Sequence, residues 1–520
     1  MEDNRYTRLL WVDDEIEHLK AHIFFLSEKG FKVDTATNGK DALALLADHD
    51  YSLVFLDENM PGLSGLETLT RIKELRPHLP VIMVTKSEEE DLMDQAIGSK
   101  ISDYLIKPVN PNQVLLSIKR TLERESLVSK KATTDYRSAF SKIGMRLNDN
   151  LSCADWVDIY KQLVYWELEL YGADSSMNEV LLMQKNEANS LFSRFVKRNY
   201  AEWLQGEEGP LMSHQLMKSR VLPLLKEGKQ VVMVLIDNFR YDQWEVIRRE
   251  LGSFFTVKND ELYYSILPTS TQYARNAIFS GLLPLNIEKM YPDFWSDEDE
   301  EGSKNQFEEE LLGTFFTRMR EPVKAMYEKV SDTESGKKLL DSFSRFRDFQ
   351  LSVVVYNFVD ILSHARTEMK MIRELIADEA AYRSLTLSWF QHSPLFELLR
   401  RLSQEKITVI ITTDHGTIRV QNPLKVVGDR NVNTNLRFKQ GKNLAYDAKS
   451  VYEVKQPEKI FLPRPNVSTS YIFATGDDFF AYPNNFNYYV SYYKDTFQHG
   501  GISMEEMMVP FVVLEPKGQG

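Results

Sequence analysis

Five short apolar runs punctuate the first 110 residues: Arg8–Val12, Lys32–Ala36, Tyr51–Leu56, Pro80–Val84 and Asp103–Ile106. Each is followed by a helix-like stretch, so the pattern predicts a repeated βα unit and an open parallel sheet. From about Pro111 to Arg220 the period lengthens. Apolar residues recur there at three and four spacing, as in Trp156, Ile159, Tyr160, Leu163 and Trp166, and predict helix almost throughout. No proline falls between Pro111 and Pro210, which suits long helices, and Tyr171–Ser175 reads as a turn between two of them. From Gln230 onward buried strands return as Val231–Ile236, Leu351–Phe358 and Ile407–Ile411, and Gln272–Gly281 reads as a helix.

The polar residues of the first region sit where strands stop: Asp13 and Asp14, Asp57, Thr85, and Lys107-Pro108. In an open parallel sheet, ligands collect beyond the carboxyl ends of the strands. Clustered carboxylates repel unless a hard divalent cation neutralises them, and oxygen-only ligands suit Mg2+. With Asn59-Met60-Pro61-Gly62 after the strand-end Asp57, this constellation resembles the receiver domain of response regulators. The resemblance implies a flavodoxin-like fold in which Asp57 takes a phosphoryl group from a cognate sensor histidine kinase or a small phosphodonor. It assigns Mg2+ to Asp13, Asp14, Asp57 and the carbonyl of Asn59, and the phosphoryl oxygens to Thr85 and Lys107. It also implies a cis Lys107–Pro108 peptide, and makes Tyr104 the aromatic that turns with the switch. Lys86 stands where the family usually has a small residue.

At 520 residues the chain has room for about two to four domains. The charged start Met1-Glu2-Asp3-Asn4-Arg5 is not expected to be a signal peptide, and no apolar run is long enough to span a bilayer. The single cysteine, Cys153, excludes an intramolecular disulfide, so a cytoplasmic protein without membrane insertion is expected. The net charge of −13, from 63 basic and 76 acidic residues, argues against non-specific binding of duplex DNA. No helix-turn-helix signature follows the receiver-like segment.

A second constellation spans the last 300 residues. Asp237 ends Val231–Ile236, Asp360 and His364 follow Leu351–Phe358, Asp414-His415-Gly416 follow Ile407–Ile411, and His499 stands near the carboxyl end. Neutral imidazole nitrogens mixed with carboxylate oxygens favour Zn2+. Taken singly, each residue also reads as a strand-end cap or an exposed pair. Together with Pro268-Thr269-Ser270-Thr271, their order resembles the alkaline phosphatase superfamily and its branch with a Pro-Thr-x-Thr nucleophile motif. The resemblance implies Thr271 as nucleophile, one Zn2+ on Asp237, Thr271, Asp414 and His415, and another on Asp360, His364 and His499. A threonine alcohol needs such help, because it is a poor nucleophile at neutral pH unless a metal or a base activates it. Arg240 and Arg275 are candidate substrate-binding phosphate clamps and read equally as structural ion pairs.

Ile236 to Asp242 looks like the start of a PglZ domain, and a receiver joined to one through helices resembles PorX-type response regulators. The expected organisation is a receiver over 1–122, a helical bundle linker over 123–220, and a PglZ domain with an alkaline-phosphatase-like α/β/α fold over 221–520. The resemblance links the chain to the type IX secretion system, and the helical region or the last receiver helix to a phosphorylation-dependent homodimer. Threonine as nucleophile leans towards diesters. The basic segment Asp429–Lys459, with Arg430, Asn435, Arg437, Lys439 and Lys442, precedes Phe479, Tyr482, Phe486, Tyr488, Tyr489 and Tyr492, a composition suited to a nucleotide or short oligonucleotide, linear or cyclic. The competing expectations are a non-catalytic platform for a sigma factor or secretion component, and a monoester phosphatase or phosphomutase. Asp297–Glu301 and Glu308–Glu310 read as a solvated acidic insertion that could dock a basic partner.

Overall fold

The computed structural model describes residues 7–76, 79–85, 101–170, 175–206, 208–296, 305–376, 378–428 and 433–517. The expectations for Lys86, Asp297–Glu301, Arg430 and most of the Tyr171–Ser175 turn lie outside these residues. The chain divides into two compact units between Arg137 and Ser138.

In the first unit, strands β1 (Thr7–Val12), β2 (Phe31–Ala36), β3 (Leu53–Asp57), β4 (Val81–Thr85) and β5 (Asp103–Ile106) form one parallel sheet in the order β2-β1-β3-β4-β5. Alternate residues of its central strands feed two separate cores. Leu10, Val12, Val54, Leu56 and Met83 pack with Ala42, Leu46, Leu69 and Ile72 of the helices Gly39–Asp48 and Gly65–Leu75. Leu9, Trp11, Phe55 and Val84 pack with Leu26, Val114 and Ile118 of the helices Lys20–Glu28 and Pro111–Leu147. Strands apolar on both faces, as here, belong in a parallel sheet covered on both sides. Ser64 and Glu67 form a capping box that starts the helix after β3. A Cβ on Gly65 would meet the Asp57 carbonyl at 2.5 Å, so only glycine lets this helix start so close beneath the site.

The second unit is built on a six-stranded sheet. Its first five strands in sequence are β6 (Val231–Ile236), β7 (Phe255–Tyr264), β8 (Ala325–Val330), β9 (Leu351–Tyr356) and β10 (Thr408–Thr412). Three small sheets follow: β11 (Ile418–Arg419) with β17 (Phe497–Gln498), β12 (Asn422–Lys425) with β16 (Asp478–Ala481), and β13 (Phe438–Gly441), β15 (Ser470–Phe473) and β14 (Tyr452–Val454). Strand β18 (Met508–Pro516) then returns to the large sheet, whose order is β7-β18-β10-β6-β9-β8. Strands β10, β6, β9 and β8 are parallel, so their carboxyl ends share one edge, while β18 runs antiparallel between β10 and β7. The ligand-type residues stand at that shared edge.

From Ser138 on, the helical linker belongs almost wholly to the second unit. Trp156 of the helix Cys153–Glu169 meets Phe192 of the helix Ser175–Leu204, and Phe192 and Trp203 in turn meet Tyr264 of β7. The Tyr200 hydroxyl accepts a hydrogen bond from the Leu267 amide at 2.7 Å. The physical reason is the apolar stripe itself: a free-standing spacer would leave part of it in water, whereas docking against β7 buries it.

Candidate functional site

In the first unit, Asp13, Asp14 and Asp57 offer oxygens that all lie within 4.8 Å of one another. Lys107 answers them, with its Nζ 2.7 Å from Asp13 Oδ2 and 3.0 Å from Asp57 Oδ2. Burial raises the Asp57 carboxyl above its usual range, against the pull of Lys107, and the charges of Asp13 and Asp14 push it further up. Burial acts to lower Lys107, but its bonds to Asp13 and Asp57 hold it above the usual lysine range. Asp57 Oδ1 is buried without a hydrogen-bond partner among the described residues. An all-oxygen cluster with an unanswered carboxylate oxygen fits a hard cation. Thr85 is buried at the end of β4, its carbonyl accepting from the Lys107 amide at 2.7 Å, and Lys107–Pro108 is cis. Asn59 is exposed on the loop after β3, and Tyr104 is half-buried against the first of the two cores.

At the second edge the seven expected residues gather from five segments. Asp237, Asp414 and His415 form one trio and Asp360, His364 and His499 another, each with ligand atoms within 4.8 Å. The trios adjoin: the His415 and His499 rings stack at 4.3 Å, and His364 meets His499 edge-on at 6.0 Å. Thr271 opens the helix Thr271–Ser280, which ends at the left-handed Gly281. Its Oγ1 lies 3.4 Å from Asp237 Oδ1 and 3.2 Å from His415 Nε2. The helix start adds unpaired amides and positive potential there.

The electrostatics suit a metal. Burial pushes the His415 imidazole below its ordinary range, and burial with the neighbouring His415 takes His499 down to about 3. Both rings are thus neutral, the form that ligates. His499 Nδ1 faces the Thr269 carbonyl at 3.2 Å and His415 Nδ1 the Gly416 carbonyl at 3.1 Å, which leaves each Nε2 turned to the cluster. Burial raises Asp237 well above the carboxylate range, with Asp414 and Asp360 adding to the rise. Asp414 is buried too, yet Arg275 and His415 hold it below that range. A divalent cation would relieve the repulsion at Asp237, so nitrogen and oxygen donors of this kind fit Zn2+.

Of the two readings of Arg240 and Arg275, the contacts favour the structural ion pairs. Arg275 is fully buried behind the trio: its Nη2 pairs with Asp237 Oδ2 and lies 2.9 Å from Asp414 Oδ2, and its Nη1 is 3.3 Å from Glu308 Oε1. Arg240 is buried against Asp242 and Glu379, each at 2.6 Å, with its guanidinium over the Tyr382 and Phe497 rings. Both guanidiniums serve carboxylates. Glu308 corrects the acidic-insertion reading in the same way, since it is buried at the start of the helix Glu308–Met319 and serves Arg275. Burying that carboxylate is tolerable because the Arg275 guanidinium, the Tyr327 hydroxyl and Lys329 answer it.

The basic segment also departs from expectation. Arg437 is buried in a bidentate pair with Glu506, and buried Lys439 donates to the Asn433 carbonyl, so neither follows a phosphate backbone. Lys442 is exposed, and the Asn435 side chain accepts from the Arg437 and Phe438 amides. Phe479 is buried in β16, whereas Phe486, Tyr488, Tyr489 and Tyr492 lie on the helix Phe486–Tyr493, with Tyr488 exposed. A fourth cluster, Glu167, Asp242 and Glu379, has metal-like spacing but is filled by Arg240, Arg383 and Lys185.

One supporting residue carried a signal that was not used. Asn238 has a left-handed backbone (φ 61°), and its Nδ2 donates to Asp360 Oδ1 at 3.2 Å, tying the trios together. Asparagine tolerates that conformation better than most residues, so its place directly after a strand-end Asp was informative. Ser265 and Glu308 carried no comparable signal. Ser265 donates to the Asp414 carbonyl at 2.6 Å from a site 149 residues away in sequence.

Comparison with known proteins matches this geometry. The family model described as the BREX system PglZ alkaline phosphatase-like domain matches residues 216–514, more than half of the chain. The chain belongs to the PglZ family. Models of the PorX response regulator linker domain and the response regulator receiver domain match residues 126–204 and 9–119, so the PglZ domain stands in the PorX-type order. Among curated relatives, the transcriptional regulatory protein ResD of Bacillus subtilis is 34% identical over 129 residues, covering 25% of this chain and 53% of ResD. SrrA of Staphylococcus aureus is 31% identical over 116 residues, covering 22% and 48%. The chain thus spans about half the length of the curated relatives it matches. Among solved structures, a CheY-like receiver domain protein from Methanospirillum hungatei is 30% identical, with a TM-score of 0.22, over 23% of this chain and 94% of its own. The receiver domain of NtrX from Brucella abortus is 34% identical, with a TM-score of 0.21, over 22% and 98%. No helix among the described residues is long and apolar enough to cross a membrane.

Proposed function

We propose that the PglZ domain is a zinc-dependent phosphodiesterase for nucleotide or short oligonucleotide diesters, linear or cyclic, and that phosphorylation of Asp57 gates it. One observation carries this reading: the Thr271 hydroxyl lies within 3.4 Å of Asp237 and His415 of one trio, at a helix start, while the second trio adjoins. Asp237, Asp414, His415 and Thr271 would hold one Zn2+, and Asp360, His364 and His499 the other. Zinc there would lower the pKa of the attacking alcohol and neutralise charge on the diester. Thr271 Oγ forms the bond to phosphorus as the ester oxygen of the leaving alcohol departs, and water then cleaves the threonyl phosphoester. The amides at the start of the helix Thr271–Ser280 hold the phosphoryl oxygens. Arg275, fixed by Glu308, holds Asp237 and Asp414 in place and keeps Asp414 ionised.

In this reading the protein is a cytoplasmic response regulator of type IX secretion. A cognate sensor histidine kinase phosphorylates Asp57 with Mg2+ on Asp13, Asp14, Asp57 and Asn59, and the phosphorylated form dimerises. Thr85, Lys107 and Tyr104 carry the switch. The test is hydrolysis of bis(p-nitrophenyl) phosphate against p-nitrophenyl phosphate by zinc-loaded wild type and Thr271→Val. Diester turnover that vanishes in the variant supports the reading. Monoester turnover alone would indicate a phosphatase, and no turnover by the phosphorylated, zinc-loaded protein would favour a binding platform.

A further inference from the structure

Five arginines are buried among the described residues: Arg240, Arg275, Arg366, Arg383 and Arg437. Four are neutralised by carboxylates. Arg240 pairs with Asp242 and Glu379, Arg275 with Asp237, Asp414 and Glu308, Arg383 with Glu167 and Asp242, and Arg437 with Glu506. Arg366 has no such partner among the described residues. Its Nε donates to the Ile376 carbonyl at 2.7 Å, and its Nη1 is buried with no hydrogen-bond partner among the described residues. A buried cation without an anion is costly, and so is a buried donor without an acceptor.

Its neighbours make the imbalance worse. Arg373 donates to the Thr367 carbonyl at 2.5 Å and to the Arg366 carbonyl at 3.5 Å, and its guanidinium lies 5.2 Å over the Tyr492 ring. Arg419 pairs in register with Phe497, the ring over which the Arg366 guanidinium lies at 5.4 Å. The charges of Arg419 and Arg373 both bear unfavourably on Arg366. Two nearby acids, Asp495 and Glu379, compensate in part: Asp495 Oδ1 is 2.8 Å from Arg419 Nη2, while Arg419 Nε is buried with no hydrogen-bond partner among the described residues. Three guanidiniums set against Asp495 and a Glu379 already shared with Arg240 leave an excess of positive charge and two unanswered donor atoms.

The cluster flanks the reaction site. Arg366 follows His364 by two residues on the helix Phe358–Glu368. Arg419 follows His415 by four, and β11 pairs with β17 immediately before His499. Gln498, next to His499, reaches the Thr367 hydroxyl at 3.4 Å and joins the two segments. We propose that Arg366, Arg373 and Arg419 form a subsite for a second, non-scissile phosphate of the substrate. Guanidinium groups bind phosphate through paired N–H donors, and a phosphate would supply both the missing charge and the missing acceptors. This deepens the phosphodiesterase reading and rests on it: the substrate would carry at least one phosphate besides the one cleaved.

The test reads binding, which does not depend on turnover. Full-length, zinc-loaded Thr271→Val is titrated with thymidine dinucleotide bearing or lacking a 5′-phosphate, alone and combined with Arg366→Gln or Arg419→Gln. The extra phosphate is expected to tighten binding at least about tenfold, the worth of one or two charge-assisted hydrogen bonds. That preference should fall to about twofold or less in the arginine variants. Arg419→Lys, which keeps the charge but loses the planar fork, should fall between, and it serves if Arg366→Gln does not fold. Equal affinity for the two dinucleotides, or a preference that survives in the arginine variants, overturns the subsite. Failure of the phosphodiesterase reading is seen separately, as absent turnover of bis(p-nitrophenyl) phosphate by wild type.

Discussion

The two acidic sites share one architectural idea and use it in opposite ways. Each lies beyond the carboxyl ends of parallel strands, where loops can bring carboxylates together. In the receiver, Asp57 is held above its ordinary range and a single lysine answers the cluster beside an exposed Asp14. In the PglZ domain a buried arginine, itself fixed by a buried glutamate, holds Asp414 below its range. In the proposed function, the first arrangement stores repulsion that a phosphoryl group and its cation would reset. The second would keep ligands in place through a cycle. A lysine on a flexible stem suits the one, and a planar guanidinium bonded on several sides suits the other.

The sharpest way to break the comparison is at Thr271. Thr271→Val should lower diester turnover by at least about a thousandfold, as loss of a covalent nucleophile does, with zinc content unchanged. Next is the fixed cation. Arg275→Met leaves Asp237, Asp414 and Glu308 without their partner and should cost about 3–5 kcal/mol in urea unfolding, typical of a broken buried ion pair. Smaller, and more telling, is one kind of substitution applied to both sites. Asp414→Asn should destabilise the metal-free protein by on the order of 2 kcal/mol at neutral pH, because Asp414 contributes stability above its ordinary pKa and loses it as pH falls through the depressed native value. Asp57→Asn should have the opposite sign. A raised carboxyl contributes most below its ordinary pKa and loses that contribution as pH rises through the native value, so removing the charge should protect β3 amides from hydrogen exchange by on the order of 1 kcal/mol. Equal signs would dissolve the contrast. A further effect is in pH: with His499 down to about 3, stability of the metal-free protein is full above the ordinary imidazole value and is lost as pH falls. Within that window thermal unfolding should weaken by about 1.4 kcal/mol per pH unit.

Much of this was legible in the sequence because strand ends announce themselves. The runs before Asp57, Asp237 and Asp414 appear as β3, β6 and β10 within one or two residues, and the seven ligand-type residues meet as their order implied. What was not legible depends on pairs from distant segments. Whether Arg275 faces a substrate or a glutamate is decided by Glu308, 33 positions on, and Arg240 is claimed by Glu379. Arg437 resembles a surface base until Glu506 is placed beside it. The linker's apolar stripe showed that it needed a partner, while its partner, Tyr264 at the end of β7, shows only in three dimensions.

The central claim is that two donor trios flank Thr271 and hold two divalent ions. Zinc bound per full-length chain, measured after chelation, reloading and exhaustive dialysis, tests it most directly. Two zinc ions are expected in wild type and in Thr271→Val, and one in His499→Ala. A folded wild type that retains one zinc or none would contradict it.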